Sequence, residues 1–415
     1  MDRVFATDLV ALAALAALPD LDLRGAILIY FLLYSTFYKI FFIFRVYINV
    51  ANVINHIYKY RMQGIENLGS TCAINSLIQI ISRNDILRDI ILNNDFANDT
   101  MSGQLKEIID LMYVKNNTII PRKFLNTLYS VFRDIFYPGE QIDIGELWTF
   151  LTDKITDEVT DEVTEATPVK PASNLYLEDY LTEGVVYKSD ADFNNAIVNC
   201  KLLRKKYEYY YHMFNKKTSM WQKNTQGFYL NTTRCLHCNL TFYNFEPFTS
   251  LNIDIPADMP NPRISDMISA SLKEEVINDG EVINDGWFCT KCNKNTSYKK
   301  STKLWKLPDV LVIIIKRFIN IRLKNNAPLT INEYLNFAKG SVLTNTKDTI
   351  YTFSSVALHF GSLNGGHYSA VCNTPDGSIL YDDRNVAKID ASHIAGFMDK
   401  NTNAYMIVYN KKKDA

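Results

Sequence analysis

Three patterns of apolar and polar positions divide this chain. Over residues 26–44 the run is predominantly apolar, with Lys39 its only charged residue. Such a run predicts one membrane-crossing helix, which needs about 20 apolar residues. Behind a small, polar stretch, Ile74, Leu77, Ile78, Ile80 and Ile81 predict an apolar helix that begins at Cys72. Toward the other end, a glycine-rich turn over 361–366 runs into a short strand at His367. A polar turn over 373–377 then returns the chain through Ile379, Leu380 and Tyr381 to Asp382 and Asp383. A hairpin of this length brings Asp382 back beside His367. His359 falls on a further strand, and the i, i+3 spacing of Asp143 and Glu146 predicts two carboxylates on one helix face. The acidic repeat and prolines of 155–173 read as a solvated loop. The tandem duplication EVINDGEVINDG (275–286) reads as a hairpin tip, because Asn-Asp-Gly favours turns. The tyrosine-rich run 205–212 reads as a half-buried strand or a helix end.

A cysteine at a helix N-terminus sits in the positive end of the macrodipole, which favours the thiolate. Cys72 is therefore placed as a nucleophile, with a buried structural cysteine as the alternative. Asn67, on the loop feeding the helix, is positioned to aim its amide at an oxyanion. His367 is the candidate base and Asp382 the carboxylate that holds its tautomer, which completes a nucleophile–base–orienter set. His359 is read as a structural residue.

Two C-x-x-C knuckles, Cys235/Cys238 and Cys289/Cys292, each put two thiolates on one ion. Together they predict a closed Cys-four site, hence structural Zn²⁺ with no open position for catalysis. A redox pair or disulfides are the alternative. His237 is surplus once four sulfurs are in place. Of seven cysteines, the nucleophile and four ligands leave Cys200 and Cys372 as free thiols.

GIENLGSTCAINSLIQ (64–79) resembles the Cys box of the ubiquitin-specific proteases (USPs), the papain-like cysteine deubiquitinases, and NGGHYSAVCN with ILYDDRNV resembles their His box and third catalytic position. GEQIDIGELWTFL, FEPFTSLNIDIP, LPDVLVIIIKRF and NAYMIVYNK are similar to intervening and closing landmarks of that family, in order. The resemblance runs from Gly64 to Lys411. It implies an α+β fold with helical thumb, zinc-ribbon fingers (about 225–300) and β-sheet palm, here preceded by an N-terminal transmembrane helix. It implies a triad of Cys72, His367 and Asp382, an oxyanion donor in Asn67, and a supporting Asp383. It also implies that Asp143 and Glu146 bind arginines of the ubiquitin tail, that Gly365 and Gly366 line a slot for its Gly-Gly end, and that Tyr405 borders that slot. Ser70, Ala73, Leu147 and Val371 depart from commoner family residues, and none removes a catalytic function.

A net charge of −1 argues against a nucleic-acid partner. The expected organisation is an N-terminal segment (1–24), a membrane helix (25–46), a linker (47–63) and a catalytic domain (64–412). Arg45, Lys59 and Arg61 follow the apolar run, which places the domain in the cytosol by the positive-inside rule. A signal peptide or a buried helix are alternatives for the run. The expected activity is thus a single-pass, membrane-tethered deubiquitinase acting on ubiquitinated proteins, with the lipid bilayer as a second partner. A catalytically silent ubiquitin-binding scaffold and an isopeptidase for another ubiquitin-like modifier are the alternatives.

Overall fold

The computed structural model describes residues 63–114, 118–162, 201–214, 217–277, 287–320, 323–338, 341–344, 347–362 and 365–412. The chain divides into two compact units, Met1–Arg61 and Met62–Ala415. The first lies outside the described residues.

The second unit opens with helices Cys72–Arg83, Asp85–Leu92, Met101–Val114, Arg122–Val131 and Ile144–Glu158. Every residue of Cys72–Arg83 is buried, so this helix forms the centre of the helical layer. Asn84 ends it and caps the next helix, accepting from the backbone N–H groups of Ile86 and Leu87 at 3.2 Å each.

The helices pack on one face of an eight-stranded sheet. Its strands run in the order Asn385–Lys388, Gly377–Asp382, His367–Thr374, Thr349–Phe360, Ala404–Lys411, Val310–Ile315 and Leu251–Ile253, with Tyr334–Phe337 also paired to Thr349–Phe360. All six residues of Val310–Ile315 are buried. Alternation sends Val310, Val312 and Ile314 into the core shared with the helices, and Leu311, Ile313 and Ile315 into a second core on the opposite face. Each such side chain contributes about 1.5–3 kcal/mol on leaving water, which fixes this strand inside the sheet.

A separate four-stranded sheet is built from Thr241–Phe248, Gly227–Cys235, Tyr298–Lys306 and Glu275–Ile277. Residues 205–212 lie in helix Lys201–Phe214 and reach its last turn at His212, so of the two alternatives the helix holds and the strand does not. The reason is spacing: Tyr207, Tyr210 and Tyr211 share one helix face. Tyr207 packs its ring on Phe228, Phe245 and Trp305 at 5.3, 5.2 and 5.4 Å. Of the duplicated 275–286 segment, Glu275–Ile277 is a strand edge and the rest lies outside the described residues. The 155–173 segment begins as the end of helix Ile144–Glu158 and a short strand, Thr160–Glu162, paired with Lys217–Ser219.

The expected single-pass membrane location is corrected. Among the described residues no helix is long and apolar enough to cross a bilayer. A crossing takes about 20 apolar residues in one helix, whereas the 15-residue helix Ile144–Glu158 alternates buried with charged positions. The 26–44 run that prompted the expectation lies outside the described residues.

Candidate active site

Cys72 is the first residue of its helix and is 2% exposed. The loop that delivers it is folded by Asn67, whose Oδ1 accepts from the backbone N–H of Gly69 (3.0 Å) and Thr71 (3.2 Å) and from the Thr71 hydroxyl (3.2 Å). Gly64 holds the start of the loop against the turn at Asp383–Arg384. A Cβ there would collide with the Arg384 carbonyl, and Ile65 N–H donates to Asp383 O at 3.0 Å. Burial pushes the Cys72 thiol up from its ordinary value, and the Asp383 carboxylate adds to this. Backbone hydrogen bonds from Tyr368 and Ala73 pull in the other direction without overcoming it. The helix terminus is thus present as expected, but desolvation outweighs it.

The hairpin expected near the end of the chain forms between His367–Thr374 and Gly377–Asp382, with Gly377 at φ +111° in the turn. It brings Asp382 Oδ1 to 2.5 Å from His367 Nε2. Nδ1 is the ring nitrogen left for a second partner. Tyr368, next to His367, supplies the backbone contact to Cys72, so nucleophile and base belong to one site. No hydrogen bond joins Cys72 to His367 in this arrangement.

Asp383 is a hub. Its Oδ2 accepts from Asn67 Nδ2 at 2.8 Å and its Oδ1 from Asn75 Nδ2 at 2.8 Å. One Asn67 N–H is therefore spent on Asp383 rather than aimed at an oxyanion, and the amide keeps a second. Asn75 escaped the sequence reading. Its position one helical turn after Cys72 was the available signal.

Asp143 lies just outside the helix Ile144–Glu158, whose first turn holds Glu146. It is the N-cap, with Oδ1 accepting from Gly145 N–H (2.8 Å) and Glu146 N–H (2.9 Å). Its Oδ2 accepts from the Tyr405 hydroxyl at 2.5 Å and the Tyr368 hydroxyl at 3.4 Å. Glu146 is exposed, and partial burial followed by the nearby Asp143 carboxylate raises its carboxyl above the usual range. Asp143, Glu146, Phe318 and Tyr405 line a cleft of about 350 Å³. Ser70, Asp143, Glu146, His359 and Tyr368 line an adjoining one of about 560 Å³.

Gly366 is required by packing within the chain, because a Cβ there would collide with His359 Nε2, whereas a Cβ at Gly365 would make only an ordinary contact with Ser362 Oγ. His359 is 2% exposed and is held neutral: burial, then Lys324 and His367, lower its pKa to about 4. Its ring stacks near Tyr368 (4.6 Å), Phe318 (5.3 Å) and Tyr405 (5.9 Å). It is structural, as read, yet it forms part of the cleft wall.

The sulfurs of Cys235, Cys238, Cys289 and Cys292 all lie within 4.8 Å of one another, with Cys235–Cys292 at 3.9 Å and Cys238–Cys289 at 3.5 Å. A tetrahedral ion with zinc–sulfur bonds of about 2.3 Å separates its sulfurs by about 3.8 Å, so the residues present fit the metal. The two knuckles are built alike. Asn239 and Asn293, each just past the second cysteine, take φ +61° and +54° and donate N–H to Cys235 O and Cys289 O at 2.9 and 2.8 Å. His237 stands exposed outside this cluster.

A helix-borne cysteine, a histidine–aspartate pair on the facing hairpin and a closed four-thiolate cluster, set in a mixed α/β fold, are the arrangement of a cysteine-hydrolase site. The chain belongs to the ubiquitin carboxyl-terminal hydrolase family, whose model matches residues 63–409. It is 24% identical over 387 residues to ubiquitin carboxyl-terminal hydrolase 4 of Saccharomyces cerevisiae, covering 84% of this chain and 39% of that protein. It is 24% identical over 380 residues to ubiquitin carboxyl-terminal hydrolase 2 of Homo sapiens, covering 84% and 55%. The chain thus spans only part of the length of these relatives. Among solved structures, a chain of the SAGA DUB module of Ubp8, Sgf11, Sus1 and Sgf73 bound to monoubiquitin superposes with a TM-score of 0.61 at 20% identity, over 86% of this chain and 71% of that one. This likeness establishes the fold.

Proposed function

We propose that the chain is a deubiquitinating cysteine protease that hydrolyses the peptide or isopeptide bond at the C-terminal glycine of ubiquitin. The observation that carries this reading is the 2.5 Å contact of His367 Nε2 with Asp382, which orients the imidazole and leaves Nδ1 as base toward the buried Cys72 thiol. On this reading the helices are the thumb, the eight-stranded sheet the palm and the four-stranded sheet the fingers.

The Cys72 proton passes to His367 Nδ1 as sulfur bonds to the glycine carbonyl carbon. Asn67, braced by Asp383, donates its remaining N–H to the oxyanion. The carbon–nitrogen bond breaks with return of the proton to the departing lysine amine. Water then gives a proton to His367, attacks the thioester, and releases a free carboxylate and the thiol.

The Gly-Gly tail enters between Phe318, Tyr405 and the turn at Gly365 and Gly366. Glu146, exposed at the cleft, pairs with a tail arginine. Asp143, with both oxygens occupied, holds the tyrosines of the wall. When bound, Zn²⁺ on Cys235, Cys238, Cys289 and Cys292 supplies a closed structural clasp for the fingers, and metal analysis is expected to find about one zinc per chain.

The test is covalent labelling by ubiquitin carrying a C-terminal electrophile, with a SUMO probe and Cys72→Ala as controls. Labelling by the ubiquitin probe alone, lost in Cys72→Ala, is expected. Labelling by the SUMO probe alone would reassign the modifier, and labelling by neither would reject the reading.

A further inference from the structure

Arg317 is the largest charged side chain at 0% exposure, and among the described residues no carboxylate pairs with it. A buried cation is unfavourable unless its donors are satisfied. Here they are satisfied by backbone alone: Nε donates to Ala404 O (2.7 Å), Nη1 to Asn325 O (2.9 Å) and Ala327 O (2.9 Å), and Nη2 to Asn401 O (3.2 Å). Its own carbonyl accepts from Asn325 N–H at 2.6 Å. Burial without a counter-charge lowers its pKa to about 10.

Those carbonyls belong to two segments, which a backbone pair between Leu329 and Asn401 also joins further along (3.0 and 2.7 Å). Asn325 and Ala327 follow the hairpin Phe318–Asn320/Leu323–Lys324. Asn401 and Ala404 lead into the last strand, whose second residue is Tyr405. Phe318 is the next residue after Arg317, and its ring stands 5.8 Å from that of Tyr405 across the cleft. We infer that Arg317 is a positioning residue for the tail cleft: by holding four carbonyls of the two segments it fixes the spacing between the Phe318 and Tyr405 walls. The inference rests on the proposed reading of that cleft as the tail channel. The chemistry suits arginine specifically, since a planar fork of five N–H donors can serve four fixed acceptors, whereas a lysine ammonium has three donors on one atom.

The experiment compares the full chain with Arg317→Met and Arg317→Lys by three readouts. The first is KM and kcat on a fluorogenic ubiquitin C-terminal amide. The second is amide hydrogen exchange at 317–327 and 401–406. The third is the rate of Cys72 alkylation by iodoacetamide, which needs no tail. Arg317→Met is expected to raise KM about tenfold with kcat changed by less than about threefold. Exchange should quicken in both wall segments but not in helix Cys72–Arg83, and alkylation should stay unchanged. Arg317→Lys should lie between. An unchanged KM, a fall in kcat alone, or exchange accelerated throughout the domain would overturn the inference. If the unaltered chain turns over no ubiquitin amide, the proposed function fails, and exchange confined to the two wall segments still decides the role of Arg317. If Arg317→Met does not fold, Arg317→Lys carries the test by the same three readouts.

Discussion

The Tyr405 hydroxyl donates to Asp143 Oδ2 at 2.5 Å, joining the last strand of the sheet to the N-cap of the helix on the far side of the cleft. A neutral donor on a carboxylate contributes about 1.5–3 kcal/mol. Tyr405→Phe keeps the ring and releases the carboxylate. A lower melting temperature and a several-fold higher KM for ubiquitin amide are expected, with kcat little changed. A variant with the parental KM would show that the wall does not depend on this bond.

Asn67 is spent on loop geometry and on Asp383 at once. Asn67→Ala is expected to lower kcat by about 10²–10³, the usual effect of losing an oxyanion donor. Asp383→Ala should reproduce part of that loss, because it frees the Asn67 amide without removing it. Steady-state kinetics on both variants decides the point, and full activity in Asp383→Ala would separate the bracing from catalysis.

Cys72 is buried and its thiol is raised above the ordinary value. A raised acid is protonated at neutral pH, so the thiolate fraction grows about tenfold per pH unit until the raised value is passed. Iodoacetamide alkylation of the free enzyme should therefore still be rising at pH 9. An inflection below pH 8 would mean that an imidazolium, and not burial, sets the state of the thiol.

His359 has its pKa lowered from 6.5 to about 4. The unfolded chain takes up this proton first as pH falls, so folded stability drops between about pH 6.5 and 4 and levels off below. His359→Gln removes the titration. Thermal melts across this window should show a shallower acid loss in the variant, and parallel curves would assign the loss to carboxylates elsewhere.

The chemistry of the site was readable because its parts are local. The apolar helix behind Cys72, the hairpin returning Asp382 to His367 and the paired knuckles each follow from spacing within a short segment. What the sequence did not reveal depends on long-range packing. Burial around Cys72 reverses the expected shift of its thiol. Asp143 looked helical from its distance to Glu146, yet it caps the helix, and its second oxygen is claimed by Tyr405, from a strand at the other end of the chain. Gly366 looked like a substrate slot, and the side chain that excludes a Cβ there is His359 of the same sheet. Arg317 sat unnoticed behind an apolar strand, because its partners are carbonyls and carbonyls leave no trace in a sequence.

The strand Ala404–Lys411 is last in the chain but central in the sheet, between Thr349–Phe360 and Val310–Ile315. During synthesis those two neighbours emerge first, and each must wait with an unpaired apolar edge. A chain interrupted before residue 404 would present both edges to other molecules, the situation that promotes edge-to-edge aggregation. It would also lack the Tyr405 wall. Pairing of this one strand therefore closes the sheet and supplies the Tyr405 wall of the cleft in a single event.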